Sequence, residues 1–212
     1  MSEIFKNKVA SIDELTALIG GTPSKIASNK VITTLDKHCK NFIKMSPFLL
    51  MSTSHRNGTC DVSPRGDQPG FVYIVDEKHI IIPDRPGNKR MDSMRNILTN
   101  PYVGLLFLIP GVEETLRING KAYIIKDQEY LRKMTVNGHI PTLGIGVEIE
   151  ECFIHCAKAF KRSDLWNPAS WPNKEKRPSV HKMIADHVKL PGLTERDVMI
   201  ALDESYKKRL YN

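Results

Sequence analysis

The segments Phe48-Leu-Leu-Met-Ser-Thr53, Arg56-Asn57-Gly58 and Thr59-Cys-Asp-Val-Ser63 follow one another closely, and their reading decides the fold. Asn and Gly both tolerate the positive φ that a tight hairpin turn demands, so the flanking runs are expected to pair as antiparallel strands. A second pair follows: Phe71 to Val75, the turn Asp76-Glu-Lys78, and His79 to Ile82. Tyr102 to Ile109 reads as a buried strand. In Glu114 to Ile125, Leu116, Ile118, Ala122 and Ile124 fall on one face, opposite Arg117, Asn119 and Lys121. Val147 to Phe160 is expected as the last strand.

Helices sit around these strands. Ser11-Ile-Asp-Glu14 is a capping box ahead of Leu15, Leu18 and Ile19, in a helix ending near Gly20-Gly21. Thr22 and Pro23 are expected to open a second helix. Asp36 to Ser46, Asn88 to Leu98, Asp127 to Val136, Val180 to His187 and Thr194 to Arg209 are the further candidates. Six or more short strands with few intervening helices predict a mainly β protein with peripheral helices (α+β), built on an antiparallel barrel. A doubly wound sheet would need a regular strand–helix alternation, which is absent.

The 212 residues suit one domain with a good core, alone or with a helical appendage. No stretch approaches the roughly 20 apolar residues of a membrane helix, and Met1-Ser-Glu-Ile-Phe-Lys6 lacks the apolar core of a signal peptide. A cytoplasmic protein with its four cysteines reduced is expected. The net charge of +7 suits nucleic acid, an anionic membrane surface, phosphorylated ligands or simply a solvated surface, and by itself selects none of them.

Two segments carry chemistry. In Cys60-Asp-Val-Ser-Pro-Arg-Gly-Asp67 a strand ends at a barrel rim, presenting Ser63 and Arg65. The planar fork of Arg65 suits a phosphate, and equally a rim salt bridge to Asp61 or Asp67. In Ile80-Ile-Ile-Pro-Asp-Arg-Pro-Gly-Asn-Lys-Arg90 a strand leads into a loop and an expected helix start, where free N–H groups favour anions. Arg85, Lys89 and Arg90 concentrate positive charge there, unless Asp84 and Asp92 neutralise it as surface pairs. Strand alternation separates His155 from Cys152 and Cys156, so no metal site is expected. Trp166 and Trp171 can cap the barrel or stack on a flat ring.

Together these blocks, with Asn96-Ile-Leu-Thr-Asn-Pro101, Leu106-Phe-Leu-Ile-Pro-Gly111, Thr115-Leu-Arg-Ile-Asn-Gly-Lys-Ala122 and His155-Cys-Ala-Lys-Ala-Phe-Lys-Arg-Ser-Asp-Leu-Trp166, resemble the pyridoxamine 5′-phosphate oxidase-related FMN-binding proteins, in particular a bacterial subgroup of unassigned substrate. The resemblance spans residues 36 to 170. It implies a six-stranded split barrel; a helical extension over residues 1–35 and another over 171–212, expected to pack on the barrel, are additions to the family pattern. It also implies a homodimer holding FMN at the subunit interface. Arg65, with Ser63 beside it, matches the family's phosphate-binding arginine. Lys89 and Arg90, with Asn88 and Ser93 nearby, match its basic loop. Ile81, Ile82 and Pro83 match the backbone along the flavin ring, and Lys158, Arg162, Ser163 and Trp166 are candidates to complete the pocket from the partner subunit. The tail Lys207-Lys-Arg-Leu-Tyr-Asn212 lacks the Arg-Leu-x-Pro ending of the oxidases proper, so the vitamin B6 reaction is not carried over. The expected function is that of an FMN-dependent oxidoreductase acting with a small substrate or a donor such as NAD(P)H, with no nucleic-acid or membrane partner and no catalytic residue singled out. A non-catalytic FMN store or sensor, a deazaflavin protein and an RNA-binding barrel are the alternatives.

Overall fold

In Phe48–Ser54 (β1) the odd-numbered side chains Leu49, Met51 and Thr53 are buried, while the even ones face outward. This alternation builds the computed structural model of the protein, which describes residues 4–211. Met1 to Glu3 and Asn212, at the extremities of the two expected extensions, lie outside the described residues. The chain divides into two compact units, Met1–Val31 and Ile32–Asn212. The first holds α1 (Ile12–Ile19), capped by the Ser11 hydroxyl and closed by Gly20 in the left-handed region, and α2 (Lys25–Asn29). Its second helix starts later than Thr22 and Pro23 suggest, because the Ser24 hydroxyl supplies the cap by accepting from the Ala27 N–H.

The second unit begins with α3 (Lys37–Met45), then β1 and β2 (Cys60–Gly66), paired as the Asn57-Gly58 turn predicts. There follow β3 (Tyr73–Ile74), β4 (His79–Pro83), α4 (Asp92–Thr99), β5 (Tyr102–Leu108), β6 (Thr115–Ile125), α5 (Gln128–Arg132), β7 (Gly144–His155) and α6 (Lys158–Ser163). Two short 3₁₀ turns lead to α7 (Val180–Val188) and α8 (Glu195–Lys208), the latter opened by a Thr194–Asp197 capping box. Among the described residues the sheet has seven strands rather than six, all neighbours antiparallel, in the order β2-β1-β5-β6-β7-β4-β3. The expected strand over Phe71 to Val75 is reduced to the two-residue β3, which covers β4 only as far as Ile81.

The two ends of that order meet. Arg65 on β2 lies 3.0 Å from Asp84, the residue after β4, and Asp67 lies 2.7 Å from Arg85. A flat sheet would hold β2 and β4 five strands apart, about 24 Å at the usual strand spacing. The sheet is therefore curled into a barrel whose seam is closed by side chains instead of a backbone ladder. Its interior is filled by Leu49, Met51, Ile80, Ile82, Leu105, Phe107, Leu116, Ile118 and Ile145. A smaller cluster of Ile81, Leu131 and Met134 lies under α5.

Further expected boundaries shift. The helix expected from Asn88 starts at Asp92, because Lys89 and Met91 both adopt φ of 59°, outside the helical region. The helix expected to run to Val136 ends at Arg132, and Val136 bridges instead to His139. The last strand stops at His155 rather than Phe160, since its partner β6 begins opposite, at Thr115. Beyond that point Lys158 to Ser163 coil into α6. No described helix is long and apolar enough to cross a membrane.

One glycine is demanded by packing. Asn119 faces Glu151 while Gly120 faces Ile149, so Glu150 is an extra residue in β7, and the bulge turns Cys152 inward. A Cβ on Gly120 would meet the Glu148 carbonyl oxygen at 2.0 Å. Gly120→Ala should cost upwards of about 2 kcal/mol in denaturant unfolding.

A second prediction concerns α3. The Asp36 carboxylate accepts from the Cys39 N–H at 2.8 Å, and this bond, the largest influence on it, holds its pKa below the ordinary value. Asp36→Ala should cost about 1 kcal/mol. Because the folded-state pKa is depressed, the carboxylate's contribution is complete above the usual aspartate value of about 4 and disappears as the pH falls through the lowered one. Unfolding curves of wild type and Asp36→Asn from neutral to acid pH should converge, the Asn cap carrying no charge.

Candidate functional site

Every second residue of β2 from Asp61 onward, Asp61, Ser63 and Arg65, is half-buried, and the residues between them are exposed. An edge strand tolerates Pro64, which cannot donate to a ladder. The inward set is polar, and it is met across the seam by polar groups on α4 and the loop after β4. Ser93 donates to Asp61 at 3.0 Å and shares a 2.9 Å hydroxyl contact with Ser63. Arg65 donates from Nη1 to Asp84, and Arg85 from Nε to Asp67. Asp67 lies just past the strand with its side chain 1% exposed, and also accepts from the Tyr211 hydroxyl at 2.7 Å. The Arg85 guanidinium lies 5.7 Å from the centre of the Tyr211 ring.

One group in this ladder is left over. The Nε of Arg65 is the single buried side-chain polar atom without a hydrogen-bond partner among the described residues. A guanidinium is a fork of five donors, and Asp84 engages one side of it through Nη1. The Nε side is left without an acceptor. Burial pushes the Asp84 pKa above the ordinary aspartate value, outweighing the opposite pull of Arg65. Asp67 in turn raises the pKa of the Tyr211 hydroxyl, chiefly by accepting its hydrogen bond.

The basic loop runs beside this seam. Asn88 accepts the Arg90 N–H through its side chain, and Lys89 and Met91 hold the left-handed conformation on either side of Arg90. Such conformations are costly for non-glycine residues and concentrate at functional loops. The Arg90 side chain is exposed and pairs with Asp92 at 2.8 Å, so it is less available than the sequence suggests. Arg65, for its part, pairs with Asp84 rather than with Asp61 or Asp67.

The structure thus brings Ser63, Arg65 and Ser93 together and places Asn88, Lys89 and Arg90 in the adjoining loop. Ile81, Ile82 and Pro83 are buried, the first in the cluster under α5 and the second in the main core. Their side chains are structural, which leaves backbone as what they can offer a ligand. The α6 set lies elsewhere in the chain: Ser163 donates to the Phe160 carbonyl, and Trp166 stacks on Phe160 at 5.5 Å and donates to the Val112 carbonyl. Lys158 and Arg162 are exposed. No contact within the chain links these four residues to Arg65. Tyr211 escapes sequence reasoning altogether, because nothing local ties it to Asp67, 144 residues away.

Two cavities open on the second unit, and the smaller reaches the seam. One, of about 360 Å³, is lined by Asp67, Arg85, Phe71, Tyr73, Lys44 and Lys133. The other, of about 770 Å³, lies along the outward face of β1, β5 and β6 and reaches Val62 and Phe160. Among the described residues no group of three His, Cys, Asp or Glu side chains is placed to hold a metal ion.

The family model described as pyridoxamine 5′-phosphate oxidase matches residues 35–156, more than half of the chain. Among solved structures, HupZ of Group A Streptococcus is 16% identical over 57% of this chain and 93% of its own, with a TM-score of 0.46. A putative pyridoxamine 5′-phosphate oxidase of Lactobacillus delbrueckii is 20% identical, covering 57% and 95%, with a TM-score of 0.45. An FMN-binding protein of Syntrophomonas wolfei is 13% identical, covering 55% and 81%, with a TM-score of 0.42. No functionally curated protein matches the chain.

Proposed function

The chain belongs to the pyridoxamine 5′-phosphate oxidase family, and on that premise we propose that it binds FMN noncovalently at the β2–β4 seam and acts as a flavin-dependent oxidoreductase on a small substrate. One observation carries this reading: a buried guanidinium nitrogen, Nε of Arg65, has no partner at the rim where the family's phosphate site is expected. A phosphate oxygen accepting from Nε would satisfy it with a charge-assisted hydrogen bond, about twice as strong as a neutral one. Ser63 and Ser93 lie on the same polar face, their hydroxyls engaged with each other and with Asp61, and would have to turn to donate to a phosphate. Lys89 and Arg90 extend the positive field from the neighbouring loop, where exposure and the Asp92 pair weaken each of them.

The ring of the cofactor is assigned to the edge of β4. Its neighbour β3 pairs only with Ile80 and Ile81, so Ile82 and Pro83 have no strand beyond them on that side. Backbone groups there can meet the polar rim of a planar ring, and the apolar surroundings keep water away. When bound, flavin supplies hydride and single-electron chemistry, which protein hydrogen bonds to the ring tune. NAD(P)H suits the role of electron donor.

A homodimer completes the reading. Val62 and Tyr102, 60% and 55% exposed, lie on the outward sheet face around the larger cavity, an apolar surface of the kind that marks association. In a dimer, Lys158, Arg162, Ser163 and Trp166 of α6 and its continuation would reach the partner's cofactor.

The purified protein should show a flavin absorbance spectrum, and the released chromophore should have the mass of FMN. Rapid anaerobic bleaching by NADH or NADPH is the expected sign of turnover; flavin inert to every reductant would point to a store or sensor instead. Arg65→Ala should lower FMN affinity by roughly 1.5–3 kcal/mol with the fold retained by circular dichroism. Wild-type affinity in that variant would remove Arg65 from the site. Light scattering should give twice the 24.0 kDa chain mass, and a monomer would end the α6 assignment.

A further inference from the structure

Asp84 is an odd neighbour for a phosphate anchor. Its carboxylate lies 3.0 Å from the guanidinium that the proposed ligand needs, and it is only 31% exposed. A dianion arriving at Arg65 would share one positive charge with a half-buried negative one, at a separation where little water intervenes to screen the repulsion. Two outcomes are open to such a carboxylate: it leaves, or it loses its charge.

The backbone opposes leaving. The Asp84 N–H is spent on the Leu143 carbonyl at 3.0 Å, just before β7, and the preceding Pro83 is paired with Gly144 in the sheet. On the other flank Arg85 is tied to the buried Asp67, which is itself held by Tyr211. The segment is pinned on both sides. Neutralisation is the easier course, because burial already favours the protonated carboxyl.

We propose that Asp84 is the positioning residue of the phosphate site: it holds the Arg65 fork in register through Nη1, leaves the Nε side for a phosphate dianion, and takes up one proton from solvent when that dianion binds. The proposal rests on the reading of Arg65 as the phosphate anchor. Arg65 of β2 is the charged group that faces Asp84 directly, and the Arg85–Asp67 pair with Tyr211 is the next along the seam. Arg65 and Arg85 are thus offset within the seam by Asp84 and Asp67. Binding then couples to pH in one direction. Once FMN is itself fully dianionic, above about pH 7, affinity falls as the pH rises, by at most tenfold per pH unit for one proton.

The test is titration calorimetry of the full-length protein with FMN at about pH 7.5, in buffers of different ionisation enthalpy. Wild type should take up close to one proton per FMN. Asp84→Asn keeps an oxygen for Nη1 and carries no charge. It should take up none, bind FMN several-fold more tightly at about pH 8, and lose the pH slope. Wild-type binding without proton uptake overturns the proposal, and this measurement needs no variant to fold. So does an Asn variant that binds more weakly with the slope unchanged, the mark of a merely structural residue. A wild-type protein that binds no FMN at all refutes the anchor reading as well, an outcome distinct from binding without a proton.

Discussion

A sheet curled until its edges meet must join them by something, and here the joint is made of side chains. β2 and the end of β4 approach closely enough for Arg65 to reach Asp84 and Asp67 to reach Arg85, with no backbone ladder between the strands. Everything distinctive about the site descends from that constraint. The inward face of β2 cannot be apolar where it lines a seam, so it carries Asp61, Ser63 and Arg65, each matched across the gap.

Partly buried charge pairs lose much of their attraction to desolvation, so they are weak as cement. The apolar interior around Phe107, Leu105 and Ile118 is the main stabilising element. The pairs supply geometry instead. They hold two guanidinium groups in fixed orientations at the rim, and one of them keeps a donor unspent. A fully satisfied seam would be more stable and would have nothing to offer a ligand. The strained loop at Lys89 and Met91 follows the same logic, with backbone held in costly conformations next to the place where binding is proposed.

Much of this was legible along the chain. The Asn57-Gly58 turn, the alternation through β6 and the capping residue Ser11 identify elements that the structure contains. Ser63 and Arg65 were identifiable as rim residues, and the loop after β4 as basic. The misplaced helix start had a visible cause only in three dimensions: Asn88 to Leu98 reads as one helix, yet Lys89 and Met91 adopt positive φ ahead of Ser93, which reaches Asp61 across the seam. Likewise, β7 ends where β6 begins, a limit set by the partner strand and not by its own residues.

The sequence by itself determined the strands, their hairpin order, which faces are apolar, and the family, because period-two alternation, turn residues and motif spelling are properties of near neighbours in the chain. Tertiary structure decided which acid each arginine meets, that Tyr211 reaches Asp67, and that one nitrogen of Arg65 stays free. Those outcomes depend on the curvature that brings β2 to β4. Curvature sums small twists over seven strands, and no single stretch of residues contains it.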